Sequence, residues 1–248
     1  MTVFRSVLFY LGYSLATVIW GSLSVLVGWA LPYRYRFQFI IGAWTRICLW
    51  WLRVTCGIRH HIEGREHIPA TPCVVFCRHE STWETLFLQT LLAPQATLIK
   101  RELLWIPFFG WAFALNKPIA IDRGNPRRAL RRLIQIGKAR LRDGIWVVLF
   151  PEGTRMPVGE LGRFQVGGSA LAAAAEVPVL VIAHDAGRYW PAHELRKTPG
   201  TIRVSILPPI RPNGRDSKEI SDEARQLMRE GMAALAATQP HPPTRRRD

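Results

Sequence analysis

Acidic residues are scarce in this chain. Its 18 Asp and Glu stand against 33 Lys and Arg, leaving a formal net charge of +15 over 248 residues. Such an imbalance points to an anionic partner: nucleic acid, an anionic membrane surface or a phosphorylated substrate. Arginine greatly outnumbers lysine, as bidentate phosphate recognition or a GC-rich coding sequence would each produce. Cysteine is rare too. Cys48, Cys56, Cys73 and Cys77 are too few and too scattered for a disulfide framework. Cys73, Cys77 and His79 would share one face of a strand and so invite a zinc reading, but no fourth ligand follows at zinc-site spacing. Small buried residues in a reducing compartment are the better account. No internal repeat is present, and low complexity is confined to a Pro- and Arg-rich tail at 241–248, expected to be mobile. With 21% charged and 48% hydrophobic residues, the chain is not of the disordered class.

Long apolar runs, by contrast, are present. Residues 6–31 hold no Asp, Glu, Lys or Arg, and a helix of about 20 such residues spans a hydrocarbon core. Tyr10, Tyr13, Trp20 and Trp29 suit the interfaces of a bilayer. A cleaved signal peptide is the rival reading. The run is long for one, and Trp29-Ala30-Leu31-Pro32 is a poor cleavage site. A second apolar stretch, 37–52, contains Trp44, Trp50 and Trp51 but is interrupted by Arg46. That charge favours an interfacial or re-entrant helix over a second span. Arg34, Arg36, Arg46, Arg53 and Arg59 follow the first segment, so the positive-inside rule leaves the rest of the chain on the cytoplasmic face, at the inner membrane of a bacterium.

Beyond residue 58, strand-like apolar runs at 73–76, 97–99, 118–121, 145–150, 178–182 and 202–207 alternate with helical patterns near 83–92, 126–142, 167–176 and 221–237. This order predicts one α/β domain with a mostly parallel sheet flanked by helices. The division expected is membrane-associated helices at 1–57, a catalytic domain at 58–238 and a basic tail at 239–248. The helix from Pro126 is amphipathic: Arg127, Arg128, Arg131, Lys138 and Arg142 fall in one arc at about 100° per residue, opposite Leu130, Leu133, Ile134 and Leu141. Asn125 fits its N-cap and Pro126 its first position. The basic face is either solvated or a contact for an anionic partner.

Chemistry concentrates at strand ends. His79 lies on a strand-to-helix turn, and a histidine can take a proton from a hydroxyl near neutral pH. A carboxylate on its other ring nitrogen orients it and stabilises the imidazolium. Glu84 can do this with His79 outside the helix and Glu84 in its first turn. Ser81-Thr82-Trp83-Glu84 also matches a capping box, in which Glu84 reaches back to a backbone N–H; the two roles are compatible. A second cluster, Phe150-Pro151-Glu152-Gly153-Thr154-Arg155, follows the strand that Pro151 stops. Gly153 allows a tight turn, and Thr154 and Arg155 offer donors suited to phosphate or carboxylate; an ordinary polar turn is the alternative. Arg123 and Lys100 end two further strands, where a solvated cation is the plain alternative. Parallel strands would bring all four ends to one edge, the usual ligand site of open α/β sheets.

These residues resemble the 1-acyl-glycerol-3-phosphate acyltransferases, or lysophosphatidate acyltransferases. The resemblance covers about residues 60–210 and extends to the apolar N-terminal helices. Residues 150–155 match that family's most specific motif in full. His79 and Glu84 match its His-x4-acid motif, with Glu where Asp is commoner. Residues 119–123 resemble the substrate-binding block without its leading glycine, and 177–180 the fourth block without its second proline. The resemblance implies a membrane-bound acyltransferase domain of phospholipid biosynthesis. The sn-2 hydroxyl of a lysophospholipid, activated by His79 and oriented by Glu84, attacks the thioester of acyl-CoA or acyl carrier protein. It further implies that Arg123 and the turn Glu152, Gly153, Thr154 and Arg155 hold the glycerol phosphate, with Lys100 on phosphate or oxyanion. It implies no acyl-enzyme, no bound cofactor and no metal. No Gly-x-Ser-x-Gly elbow is present. Glycerol 3-phosphate, a lyso-aminolipid or a lipid A precursor are alternative acceptors. A membrane-tethered nucleic-acid binder, suggested by charge alone, leaves both motifs unexplained and lacks a recognised binding motif.

Overall fold

A computed structural model describes residues 2–121 and 124–237. Arg123 and the tail at 239–248 lie outside the described residues. Helix α1 (Thr2–Val27) opens the chain, and with the turn that follows it is long and apolar enough to cross a membrane over Thr2–Ala30, by length and composition. Helices α2 (Tyr33–Phe37) and α3 (Trp44–Cys56) are joined by a π-helical stretch, Gln38–Ala43, and run back along α1. The hairpin is seated by indoles. Trp20 Nε1 donates to the Phe39 carbonyl at 2.9 Å, and Trp44 Nε1 to Thr17 Oγ1 at 3.2 Å. Trp51 Nε1 donates to the carbonyls of Leu8 and Phe9, and its ring crosses α1 so closely that a Cβ on Gly12 would lie 2.2 Å from Nε1.

One face of α1, with Ser6, Phe9, Gly21 and Ser24, is buried. The other carries Phe4, Leu11, Leu15, Ile19 and Leu26, between 57% and 72% exposed and spaced by four or seven residues along one stripe. The second segment is helical as its pattern suggests. Cys48, Leu52 and Cys56 are buried, while Arg46, Trp50 and Arg53 face outward.

The rest of the chain winds through β1 (Ile58–Glu63), β2 (Val74–Cys77), α4 (Trp83–Leu91), β3 (Gln95–Lys100), α5 (Phe109–Ala114), β4 (Ile119–Ile121), α6 (Pro126–Arg142), β5 (Trp146–Leu149), α7 (Gly167–Ala175), β6 (Val179–His184), β7 (Gly200–Ile206) and α8 (Ser217–Ala237). One seven-stranded sheet results, in the order β1-β7-β6-β2-β5-β3-β4. Strands β6, β2, β5, β3 and β4 are mutually parallel; β7 is antiparallel to β6, and β1 is parallel to β7.

Strands β2, β5 and β6 are buried throughout, as unbroken apolar runs covered on both faces should be. Their alternate side chains divide between two cores. Val75, Val148 and Leu180 pack with Trp83, Phe87, Leu52 and Phe9 beneath α4 and the hairpin. Val74, Phe76, Val147 and Val181 pack with Leu133, Leu171 and Met228 beneath α6, α7 and α8. Cys73 and Cys77 are fully buried, and burial pushes the Cys73 thiol up to about 12. Among the described residues no three His, Cys, Asp or Glu side chains converge as metal ligands. Helix α6 starts as its caps imply, with Asn125 Oδ1 accepting from the Arg128 N–H at 3.0 Å.

Candidate active site

Parallel β2, β5, β3 and β4 are consecutive in the sheet, so their C-terminal ends share one edge. His79 follows β2, and the Phe150–Arg155 segment follows the adjacent β5. Lys100 ends β3, two strand spacings or roughly 10 Å from β2, and its side chain is exposed.

His79 is fixed on every side. Its Nδ1 lies 2.8 Å from Glu84 Oε1. A carboxylate accepts only, so Nδ1 carries the proton and Nε2 is left as the basic nitrogen. The ring stacks on Phe150 at 4.1 Å between centroids and 21° between planes, and the side chain is 15% exposed. The His79 N–H donates to Glu152 Oε2 at 3.0 Å, and its carbonyl accepts from the Met156 N–H at 2.8 Å.

Glu84 makes the contacts that both expected roles require. Its Oε1 also accepts from the N–H groups of Ser81 at 2.9 Å and Glu80 at 3.1 Å, while Ser81 Oγ accepts from the Trp83 N–H at 3.1 Å. The reciprocal cap thus starts α4 and aims the carboxylate at the imidazole in one arrangement.

The turn after β5 braces this loop more than it faces solvent. Glu152 spends Oε2 on His79 and Oε1 on the Gly162 N–H at 3.1 Å. Burial pushes its carboxyl above the usual range, against the pull of those two N–H groups and of Arg78. Glu152 therefore sits as a support for the base, where the sequence pattern placed it on the phosphate. Arg155 Nε donates to the Ser81 carbonyl at 3.0 Å, and Nη2 to Thr82 Oγ1 at 3.4 Å. These bonds tie it to the start of α4 and use two of five guanidinium N–H groups. Gly153 turns the chain at φ +72°, in the left-handed region that favours glycine. Thr154 is exposed.

Three residues outside the expected set complete the loop. Arg78, 1% exposed, donates from Nε to Glu80 Oε2 at 2.8 Å, and from Nη1 and Nη2 to the carbonyls of Glu160 and Pro157. Glu80 Oε1 accepts from the Gly187 N–H at 2.9 Å. His184, 2% exposed, ends β6 beside them. The trace of this network in the sequence is a set of charged residues set directly after apolar strands: Arg78, Glu80, His184 and Asp185.

A buried carboxylate and an imidazole whose Nε2 is left basic, at an open sheet edge, are groups able to take a proton from a hydroxyl. A family model described as Acyltransferase matches residues 59–185, just over half of the chain. A 1-acyl-sn-glycerol-3-phosphate acyltransferase from Pseudomonas aeruginosa is 47% identical over 95% of this chain and 93% of its own length. The human 1-acyl-sn-glycerol-3-phosphate acyltransferase alpha is 32% identical over 74% of this chain and 67% of its own. The crystal structure of the 1-acyl-sn-glycerophosphate acyltransferase from Thermotoga maritima shares the fold, with a TM-score of 0.81 at 23% identity over 97% of this chain and 98% of that one. The chain belongs to the acyltransferase family, and it groups there with the 1-acyl-sn-glycerol-3-phosphate acyltransferases.

Proposed function

We propose that this enzyme moves a fatty acyl group from acyl-CoA or acyl carrier protein to the sn-2 hydroxyl of 1-acyl-glycerol 3-phosphate, giving phosphatidic acid. The observation that carries the reading is the 2.8 Å contact of His79 Nδ1 with Glu84, which leaves Nε2 as the base. The hydroxyl oxygen attacks the thioester carbonyl while its proton passes to Nε2. The tetrahedral intermediate collapses, the C–S bond breaks, and the departing sulfur takes the proton from the imidazolium. Glu84 stabilises that imidazolium. A thioester is labile enough to react without a metal or bound cofactor.

Arg123, the Thr154 hydroxyl and the remaining Arg155 donors hold the glycerol phosphate in this reading. Lys100 contributes from the neighbouring strand, and Glu152 and Gly153 shape the turn.

The lysolipid is delivered by a membrane. The bare stripe of α1 is joined by exposed Trp29 and Trp50, and by Trp105, Ile106 and Trp111 in and before α5, which packs on α1. Indoles of this kind suit the headgroup level of a bilayer. The arginines after α1 put the catalytic domain on the cytoplasmic face. The basic face of α6 then meets anionic lipid headgroups or an acyl carrier protein.

A thiol-release assay with both donors and a panel of lysolipids tests the assignment. Phosphatidic acid is the expected product with 1-acyl-glycerol 3-phosphate. Turnover confined to glycerol 3-phosphate, a lyso-aminolipid or a lipid A precursor would replace it.

A further inference from the structure

The base and its carboxylate have a second histidine behind them. His184 ends β6 and stands level with His79, just past the end of β2, because Cys77 pairs with Ile182 two residues earlier in each segment. Its Nε2 lies 2.9 Å from the Arg78 carbonyl, the oxygen of the peptide bond that leads into His79. That carbonyl can only accept, so Nε2 carries a proton. Nδ1 faces the Ala186 N–H at 3.2 Å and Glu80 Oε1 at 3.5 Å. The same Nε2 is 3.9 Å from Glu84 Oε2. Oε2 is fully buried and has no hydrogen-bond partner among the described residues, whereas Oε1 takes three. Glu84 thus stands between two imidazoles.

We propose that His184 is a positioning residue for acyl transfer. It pins the main chain entering His79, and its N–H end offsets the charge on the buried oxygen of Glu84, setting the proton affinity of the His79–Glu84 pair. At 2% exposed it acts through its protein neighbours. The other titratable or charged groups around the pair are Cys77, Arg78 and Glu80 on the β2 side, Glu152 and Arg155 after β5, and Asp185 after β6. None of these places a donor on Oε2. The inference rests on His79 being the base.

The sign of the effect is fixed by charge. Removing the positive end of a dipole from beside a carboxylate makes the coupled pair hold a proton more tightly. The base then stays protonated to higher pH. The experiment uses the full-length protein in detergent, with kcat, KM for the lysolipid and the pH profile of kcat/KM measured for His184→Leu and His184→Gln. Leucine should lower kcat by about tenfold or more, as small misplacements of reacting groups do, with KM for the lysolipid little changed. Its acid limb should move to higher pH by about half a unit or more. Glutamine, whose amide N–H reaches the Nε2 position, should restore most of kcat and the wild-type acid limb.

An unmoved acid limb in folded His184→Leu overturns the proposal. So does a loss of kcat that glutamine fails to restore at equal melting temperature. Should the leucine variant not fold, His184→Asn replaces it, because the shorter amide cannot reach the Arg78 carbonyl. Asparagine and glutamine variants with the same profile would equally overturn the idea. His79→Ala run alongside separates the two levels: if it stays active, the assignment of the base has failed; if it is dead while the His184 profiles are normal, the present inference alone has failed.

Discussion

Replacing Glu84 by glutamine removes one charge and almost no shape. The amide oxygen can still accept from the N–H groups of Ser81 and Glu80 and from His79 Nδ1, so the start of α4 and the imidazole tautomer are retained. The amide nitrogen then occupies the place of Oε2, a fully buried position that has no hydrogen-bond partner among the described residues. An unsatisfied buried donor costs about 1–3 kcal/mol. At about 2–4 °C per kcal/mol for a chain of this size, the melting temperature should fall by several degrees and no more. The imidazolium formed during transfer loses its counter-charge at hydrogen-bond distance, an interaction of several kcal/mol at an effective dielectric near 20. Turnover should therefore drop by about 10²–10⁴-fold, the range seen when a base loses its supporting carboxylate. The assay is thiol release at saturating lysolipid, with a thermal melt of the same sample. Retention of more than half the turnover would show that Glu84 caps α4 and does nothing further.

His79→Ala is expected to reduce acyl transfer by about 10²–10⁴-fold or more while the variant still binds membranes and melts near the wild-type temperature; a purified variant with half its activity would refute the base. Arg155→Ala should lower kcat and raise KM together, because Arg155 holds Ser81 and Thr82 as well as lying on the substrate edge. Arg123→Ala should mainly raise KM for phosphate-bearing acceptors, and an equal effect on a phosphate-free alcohol would contradict a phosphate contact. On the outer stripe of α1, Leu15→Glu with Ile19→Glu should release the protein from anionic vesicles and depress activity on vesicle-borne lysolipid far more than on a short soluble analogue; an unchanged ratio would rule out delivery through this face. Lys197 is buried against Tyr10, Trp190 and Phe9, and desolvation lowers its pKa from 10.5 to about 8. At Lys197 the folded state therefore binds fewer protons than the unfolded one between pH 8 and 10.5, so the stability of the protein relative to a Lys197→Met variant should rise across that window, by on the order of 1–3 kcal/mol; a constant difference between melts of the two proteins at these pH values would refute the reasoning.

The elements legible in the sequence are those with a strong periodic contrast. Helix α6 alternates arginine and leucine over five turns, and its bounds follow from Asn125 and Pro126 at one end. Strands β2, β5 and β6 are short apolar runs bounded by turn residues. The elements that escaped lack such contrast. β1 is an edge strand whose Arg59, His60 and His61 face solvent, so no alternation marks it. Helix α5, Phe-Gly-Trp-Ala-Phe-Ala, is apolar on all sides and too short to display a period. The reversal at β7 leaves no trace in local pattern, since its direction is set by the long connection from β6, which returns at the same edge of the sheet.

At the site, His79 and Glu84 were legible because both sit on one strand-to-helix turn, five residues apart, where the same carboxylate also caps the helix from Ser81. The work of Glu152, Arg155 and His184 was hidden because their partners are 73, 74 and 106 residues away. An arginine after a strand reads as a donor for phosphate; only the fold shows that its first two bonds go to the protein.

The sheet edge then divides into two halves of different stiffness. On the side of β2, β5 and β6, the main chain of Arg78 and His79 is held by His184, Glu152 and Met156, and the His79 ring by Phe150 and Glu84. Nothing there waits for substrate to become ordered, which is what preorganised proton transfer requires. On the side of β3 and β4, Lys100 is exposed at the end of a three-pair ladder. Substitutions in the first half act on groups whose alignment matters most in the transition state and should appear in kcat. Those in the second act on contacts made in both states and should appear in KM. Arg155 is bonded to Ser81 and Thr82 and in the proposed reading also holds the phosphate, which is why its substitution should move both constants.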